Sequence, residues 1–358
     1  LNNPIHLRGG ETVVQRIMKR IFFAVAGLCQ LLSVPAVPAA TAPTLIPVRV
    51  SYADNLGAAV VVAAIENGLF TKYGLAVNAF PQPRAALAVE SLIGGSSDIA
   101  SGAPGNRLLF AASDNLPVVA IGLAVTGFEA RMVVPVKDTT TKSIRDLVGK
   151  RVAVQVGSAT YGVWVSYLKT LGLSVNDFKI INLDVELIPA ALQRGEADAG
   201  VMWAPFWTLT VSRGIGRVIL SSEEIAAPVK STFARFVLTN RDMVARRPDA
   251  LRRFMMAWVE SLVWINKHPE ETARMLKDFY FNQGIKLDLD VIKEMLAEQR
   301  FDRVVISDVD VNDVLKNIAP IYKEAGRIKD IPDLWRYINN SFARYALSQL
   351  RVREPLGK

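Results

Sequence analysis

The chain has 358 residues, of which 51% are hydrophobic and 21% are charged. Such a chain can bury a core large enough for two lobes, and its composition is unlike that of disordered proteins. Its 42 Lys and Arg residues against 34 Asp and Glu residues give a net charge of +8, but the basic residues form no stripe interleaved with aromatics. This pattern argues against a nucleic-acid partner.

The first feature along the chain is a secretory signal peptide at residues 18–40. Met18-Lys19-Arg20 is followed by the apolar run 21–34 and then by prolines and small residues. A positive start, a short apolar stretch and a small-residue end predict cleavage after Ala39 or Ala40 and export to the periplasm.

Two further expectations concern this N-terminal part. Residues 1–17 are interpreted as an upstream extension, because the signal fits best from Met18. The one cysteine, Cys29, follows Leu28, whereas a lipoprotein signal needs a small residue there, so no lipid anchor is expected. The alternative to a cleaved signal is an uncleaved N-terminal anchor, but the apolar run is short for a membrane helix.

A strand, a loop and a helix follow the leader. Residues 48–52 predict a strand, residues 53–57 a loop, and the apolar run 58–67 a helix that ends at Gly68. A second strand is predicted around residues 76–80.

The same plan recurs about a hundred residues later. Residues 151–156 predict a strand, Gly157-Ser158 a turn, and residues 159–171 a helix that ends at Gly172. Residues 179–183 predict the second strand of this copy.

Each copy then reaches a matching connection. Gly95-Ser96-Ser97-Asp98 and Gly195-Glu196-Ala197-Asp198 each stand between a helix and an apolar strand, which runs into a loop at Pro104 or Pro205. Gly-x-x-Asp is a common helix-to-strand connection, so coincidence is the alternative. Four elements that recur in one order favour a bilobed α/β fold, with two sheet-containing lobes and a central cleft.

The remainder of the chain is predicted to be helical. Residues 242–275 carry apolar positions at helical spacing, and a further helix is predicted over 333–347. The aromatic stripe of Phe254, Trp258 and Trp264 is predicted to be core, since large aromatic side chains are usually buried; a cofactor site is the alternative.

The sequence gives no case for catalysis, a metal or a cofactor. Of the two histidines, His6 lies before the signal peptide, which leaves His268 alone at a predicted helix junction. One histidine without a cysteine makes no His/Cys metal site and no ordinary nucleophile pair. Neither a P-loop nor a dinucleotide-binding glycine motif is present. We therefore predict a binding protein without catalytic residues.

The expected binding site lies in the loops at the carboxyl ends of the strands, where open α/β sheets bind ligands. The turn at residues 157–160 offers backbone N–H groups and two hydroxyls at a helix start, which suits an oxyanion. The alternative is that Ser158 only caps its helix. Trp203 either walls the cleft or fills a lobe core, and Arg107 or Arg131 could supply a cation. The predicted ligand-binding residues are Asn55, Leu56, Gly102, Ala103, Asn106, Thr126, Gly157, Ser158, Ala159, Thr160 and Trp203.

Six stretches carry a resemblance to a known family. They are ENGLFTKYGL at 66–75, LVGKRVA at 147–153, VGS at 156–158, GEADA at 195–199, WAPF at 203–206 and WINKHPE at 264–270. In their order and spacing the chain resembles the periplasmic substrate-binding proteins of the nitrate, sulfonate and taurine importer family.

The resemblance implies a bilobed periplasmic-binding-protein fold of type II. Lobe 1 would begin at 45–133, the chain would leave it near Val134-Pro135, and lobe 2 would occupy 136–232. The chain would return near Phe233 to Val237, and residues 236–358 would complete lobe 1 and supply the C-terminal helices.

The resemblance also implies a function: closure on a small anionic ligand and delivery, as a monomer, to the membrane permease of an ABC importer. Its members bind sulfonates, nitrate, aromatic acids or pyrimidines. Sulfonate members often have Trp-Asp-Pro-Tyr where this chain has WAPF at 203–206, which weighs against an amine-bearing ligand such as taurine. The alternatives are an enzyme of thiamine or menaquinone precursor biosynthesis with the same fold, and a periplasmic sensor partner.

Overall fold

Two five-stranded sheets, each flanked by helices, organise the structure. The computed structural model describes residues 44–53 and 55–356, so the predicted extension at 1–17 and signal peptide at 18–40 lie outside the described residues. Within the described ranges, no helix combines the length and the apolar character that a membrane span requires.

The ten strands of the two sheets are short. They are β1 (Ile46–Ala53), β2 (Leu75–Gln82), β3 (Ile99–Pro104), β4 (Val118–Val125), β5 (Ala130–Pro135), β6 (Arg151–Val154), β7 (Lys179–Asn182), β8 (Ala199–Trp203), β9 (Gly216–Leu220) and β10 (Arg235–Asn240). The strands predicted at 48–52 and 76–80 lie within β1 and β2, and β6 is two residues shorter than predicted.

The helices alternate with the strands and then dominate the C-terminal part. They are α1 (Ala58–Glu66), α2 (Leu69–Lys72), α3 (Ala85–Ile93), α4 (Gly105–Ser113), α5 (Ala159–Thr170), α6 (Ile188–Gln193), α7 (Phe206–Ser212), α8 (Ser222–Ala226), α9 (Arg241–Arg246), α10 (Pro248–Lys267), α11 (Pro269–Asn282), α12 (Leu289–Ala297), α13 (Asp308–Asp313), α14 (Ala319–Glu324) and α15 (Ser341–Leu350). Short 3-10 turns occur at Ile144–Leu147, Val175–Asp177, Val185–Leu187 and Leu334–Tyr337, and a π turn at Val314–Ile318.

The two sheets share one strand plan. Sheet 1 has the order β2-β1-β3-β10-β4, and sheet 2 has the order β7-β6-β8-β5-β9. The first three strands of each sheet are parallel, whereas β10 and β5 run antiparallel to both of their neighbours. In each sheet, the fourth strand is the one that directly follows a crossing of the chain from the other sheet. We name the parts built on sheet 1 and sheet 2 lobe 1 and lobe 2, and the predicted bilobed α/β class is confirmed.

The first crossing between the lobes comes earlier than the resemblance implied. Residues 130–135 form β5 of sheet 2, where Met132 lies opposite Val201 on one side and Leu220 on the other. The chain therefore leaves lobe 1 at residues 126–129, before the expected exit near Val134-Pro135. The reason is that the apolar residues 130–135 pair with β8 and β9 of sheet 2. On the return, β10 begins at Arg235.

The repeated Gly-x-x-Asp connection holds a matching ion pair in each lobe. Asp98 accepts hydrogen bonds from the backbone N–H of Arg49 at 2.8 Å and from its Nη2 at 2.8 Å. Asp198 accepts the equivalent bonds from Arg151 at 2.8 and 2.7 Å, and the side-chain bond lowers the pKa of this carboxyl. The glycine that opens each motif has a φ of +76° or +70°, which glycine adopts without strain. The repeat therefore ties each connection to the second strand of its sheet, β1 in sheet 1 and β6 in sheet 2.

The helix predicted over 242–275 has one expected break and one unexpected break. The expected break is at His268, and the unexpected one is at Arg247, whose backbone is not helical. Pro248 follows, and proline disfavours the helical conformation in the residue before it while fitting the first turn of a new helix. The predicted helix at 333–347 is likewise divided, into a 3-10 turn and α15.

Two of the three predicted stripe residues of α10 lie in the core of lobe 1, whereas the third, Trp264, is only partly buried. Phe254 and Trp258 are both fully buried, and their ring centroids are 5.4 Å apart. Phe70 of α2 stacks on Phe254 at 5.3 Å, and the indole N–H of Trp258 donates to the carbonyl of Leu123 at 3.0 Å. These contacts fasten α10 to sheet 1, and so hold the strand ends that face the cleft.

Candidate functional site

A cavity of about 360 Å³ lies where loops of the two lobes meet. We name it the interlobe cavity; its volume is within the range of small-molecule sites. It is built at the carboxyl ends of β1, β2 and β3 of lobe 1 and of β6 and β8 of lobe 2, with the two crossing segments beside them. Its lining residues are Asn55, Pro83, Arg84, Ala85, Ala86, Leu87, Glu90, Pro104, Asn106, Arg107, Glu129, Gln155, Ser158, Ala159, Thr160, Trp203, Phe233 and Arg235.

The predicted turn at residues 157–160 opens α5 on the lobe 2 side of the cavity. Gly157 has a φ of +89°, and Ser158 is the N-cap. The Ser158 Oγ accepts from the N–H of Tyr161 at 3.1 Å and donates to the carbonyl of Gln155 at 2.8 Å. The hydroxyl is thus used within the turn. The first N–H groups of α5 have no acceptor inside the helix, because helix geometry leaves the first turn without one.

The two lobes touch across the cavity at the carbonyl of Gly157. Asn106 Nδ2 donates to this oxygen at 2.8 Å, and Arg107 Nη2 donates to it at 3.2 Å. Both donors lie in α4 of lobe 1, and Asn106 is fully buried. Tyr322 supports the same turn from behind, because its hydroxyl donates to the carbonyl of Ser158 at 2.6 Å.

Arg107 brings a cation into the cavity. Burial lowers the pKa of its guanidinium from the ordinary value, and of the described residues none pairs a carboxylate with it. The guanidinium remains charged, since arginine holds its proton far above neutral pH. Arg131, the other predicted cation, lies elsewhere: it pairs with Glu294 at 2.9 Å and stacks 3.7 Å from the ring of Trp207.

A buried ion pair between Arg235 and Glu129 forms another wall of the cavity. The two residues are 1% and 3% exposed, and Arg235 also donates to Gln299 Oε1 at 3.0 Å. Burial raises the pKa of Glu129, and the charge of Arg235 opposes that rise. Sequence reasoning missed both residues. The available signal was one charged residue in the apolar stretch at 233–238, and two, Glu129 and Arg131, in the apolar stretch at 128–134.

A second ion pair joins the lobes at the cavity. Arg84, at the start of α3 in lobe 1, donates to Asp184 of lobe 2 at 2.8 Å. Both side chains are partly exposed, at 38% and 43%, so solvent screens this contact. Arg84 is thereby matched by a carboxylate, unlike Arg107.

The structure brings six of the eleven predicted residues into the cavity lining: Asn55, Asn106, Ser158, Ala159, Thr160 and Trp203. Gly157 stands beside them and supplies the shared carbonyl. Gly102 packs behind Asn55, since a Cβ there would lie 3.3 Å from its Oδ1.

Three predicted residues lie outside the cavity lining. Leu56 and Ala103 are buried in the hydrophobic core, because residues next to each other along a strand or tight loop face opposite sides. Thr126 lies beside a different cavity and pairs with the backbone of Arg300. Within the described residues, no group of three or more His, Cys, Asp or Glu side chains could hold a metal ion.

Replacing Ser158 by Ala is expected to lower the free energy of unfolding by about 1 kcal/mol, the usual cost of losing a helix cap. Ligand affinity should change little, because the hydroxyl proton is already donated to Gln155. Chemical denaturation and calorimetry measure the two quantities. Ser221→Ala, which removes the capping hydroxyl of α8 away from the interlobe cavity, is the matched control. A tenfold loss of affinity in Ser158→Ala alone would assign the hydroxyl to the ligand.

Residues 55–272 match the protein family described as NMT1/THI5 like, which is more than half of the chain. A Brucella abortus (strain 2308) protein named as a binding protein is 26% identical over 315 residues, covering 87% of this chain and 95% of that protein. The taurine-binding periplasmic protein of Escherichia coli (strain K12) is 26% identical over 259 residues, covering 70% and 78%.

Solved structures show the same fold. The periplasmic aliphatic sulphonate binding protein SsuA from Escherichia coli superposes with a TM-score of 0.69 at 20% identity, covering 84% of this chain and 99% of that chain. The periplasmic-binding-protein fold expected from the six sequence stretches is therefore confirmed.

Proposed function

This chain belongs to the NMT1/THI5-like family, and from that premise we propose that it is the extracytoplasmic solute-binding component of an ABC importer. It captures a small anionic ligand, such as an aliphatic sulfonate, nitrate or a related organic acid, by closing its lobes. It then delivers the ligand, as a monomer, to a membrane permease. It does no chemistry on the ligand.

The observation that carries this proposal is the guanidinium of Arg107 in the interlobe cavity. Among the described residues, no carboxylate pairs with it, and its own hydrogen bond goes to a neutral carbonyl. A buried charge is costly unless it is paired, so the cavity favours a ligand with a negative charge. The N-terminus of α5 adds N–H groups and a partial positive charge at the same cavity.

The names of the similar proteins support the choice among anions. One is named as taurine-binding and another as an aliphatic sulphonate binding protein. A sulfonate keeps its charge at any physiological pH and offers three acceptor oxygens, which suits a guanidinium beside a helix start. The contacts of α4 with Gly157 and of Arg84 with Asp184 join the lobes, as closure around a ligand requires.

A ligand should stabilise the protein by mass action. At a hundredfold excess over Kd, the expected gain is about 2.7 kcal/mol, seen as a raised Tm. A thermal-shift series with alkanesulfonates, carboxylates, nitrate and pyrimidines measures this, with each compound also assayed for turnover. Stabilisation by an anion without product supports the proposal. Product formation would establish the alternative, an enzyme on the same fold.

Export is a separate part of the proposal and has its own measurement. The leader predicts that mature protein recovered from the periplasm begins near residues 40–42. N-terminal sequencing of that fraction identifies the start directly. Full-length protein with an intact leader, recovered from the cytoplasm, would contradict both export and the transport role.

A further inference from the structure

Two side-chain oxygens of cavity-lining residues lack a hydrogen-bond donor among the described residues. They are Oε2 of Glu129 and Oδ1 of Asn106, and both residues are buried, at 3% and 0% exposure. The other polar atom of each side chain is engaged, with Arg235 and with the Gly157 carbonyl. A buried acceptor without a donor is costly, and such a group in a native protein calls for an explanation.

Glu129 is held at two points, one on its side chain and one on its backbone. Its Oε1 accepts from Arg235, and its backbone carbonyl accepts from the indole N–H of Trp207 at 3.0 Å. Glu129 lies on the first crossing segment, and Arg235 opens β10 on the return. A group bound at Oε2 would therefore contact the ion pair between the two crossing segments, Arg235 with Glu129, in the cavity wall.

The charges of the cavity separate into a donor set and an acceptor set. Arg235 is matched by Glu129 and Arg84 by Asp184. The other lining carboxylate, Glu90, is exposed. Its charge opposes the lowering of the pKa of Arg107, but among the described residues it forms no ion pair with that guanidinium, so Arg107 remains for the acidic group of the ligand. The second carboxylate oxygen of Glu129 then remains for a group that can donate. Burial raises the pKa of Glu129, so a cationic donor would also offset the cost of keeping this carboxylate charged.

We infer that the ligand carries a hydrogen-bond donor, such as an amine or ammonium group, in addition to its acidic group, and that Glu129 selects for that donor. The inference rests on the proposed function and narrows its ligand class. It also changes the interpretation of the WAPF segment. This chain has Ala204 where sulfonate members often have Asp, but a ligand with an amine is not excluded, because Glu129 supplies a carboxylate to the interlobe cavity.

The test compares acids that differ only in the donor. Taurine and 1-propanesulfonate differ by an ammonium in place of a methyl group, and sulfanilate and 4-toluenesulfonate differ by an amine in place of a methyl group. We expect the donor member of at least one pair to bind the wild-type protein about tenfold or more tightly by calorimetry. Equal or tighter binding of both methyl members overturns this inference and leaves the proposed function standing.

A variant assigns the preference to its residue. Glu129→Gln keeps the shape of the side chain but places an amide N–H donor where the wild-type protein has the Oε2 acceptor. The tenfold preference for the donor compound over its methyl partner should therefore be lost. Asp198→Asn removes an ion-paired carboxylate outside the cavity and should keep the ratio. An unchanged ratio in Glu129→Gln overturns the assignment. If that variant fails to fold, the wild-type pairs still decide whether a donor is selected. If no anion of any kind binds, the proposed function fails and this inference fails with it.

Discussion

Arg235→Met is expected to lower the free energy of unfolding by about 3–5 kcal/mol, the largest stability loss that we predict for this protein. The substitution keeps most of the volume but leaves the Glu129 carboxylate buried without its cation. It also removes the hydrogen bonds to Gln299 and to the carbonyl of Gly127. Chemical denaturation with a two-state fit measures the loss.

Two controls separate the buried charge from other effects of this substitution. Arg151→Met breaks an ion pair whose side chains are 42% and 32% exposed, and it should cost much less because solvent screens exposed pairs. Adding Glu129→Leu to Arg235→Met removes the lone carboxylate, and it should restore much of the stability. If the double variant is no more stable than Arg235→Met, the loss comes from packing and the unpaired carboxylate is not its cause.

Arg107→Met is expected to weaken the binding of an anionic ligand by about 2–5 kcal/mol, which is roughly thirtyfold to a few thousandfold in Kd. The guanidinium is the cavity cation without a carboxylate partner among the described residues, so the ligand charge would lose its direct counter-charge. The fold should persist, because the hydrogen bond from Asn106 to Gly157 remains. Calorimetry with the tightest compound of the thermal-shift series gives the change in Kd.

The matched control for this prediction is Arg131→Met. Arg131 is similarly shielded from solvent, but it pairs with Glu294 and Glu298 and does not line the interlobe cavity. Its replacement should leave the Kd nearly unchanged. A loss of binding in both variants would show that the effect arises from net charge over the whole surface, and the site would have to be sought at another cation.

The lobe plan could be predicted from the sequence because its signals are local. The strand, glycine turn and helix at 151–171, and the Gly-x-x-Asp connections, depend on the residues that they contain. The same holds for the turn at 157–160, whose cap geometry follows from Gly157 and Ser158. The structure therefore has these elements where the sequence predicts them, with ends that differ by one or two residues.

The features that could not be predicted depend on partners far away in the chain. Glu129 and Arg235 are 106 positions apart, and only the return of β10 to sheet 1 brings them together. The early crossing before Ala130 is likewise decided by pairing with β8 and β9. The sequence predicts Arg107 as a candidate cation for the ligand. Its place in the cavity could not be predicted, because it depends on contact with Gly157 of the other lobe.

The late return of β10 to sheet 1 sets the order in which this protein can fold as it is made. Sheet 2 has all its strands once β9 ends at Leu220, whereas sheet 1 must wait until β10 ends at Asn240, although its first strand is synthesised first. Until then β4 has no strand to join it to β3, and both present open edges to other chains. A polypeptide cut at either crossing would leave the N-terminal part of lobe 1 without β10, whereas all five strands of lobe 2 lie in one continuous stretch between the crossings.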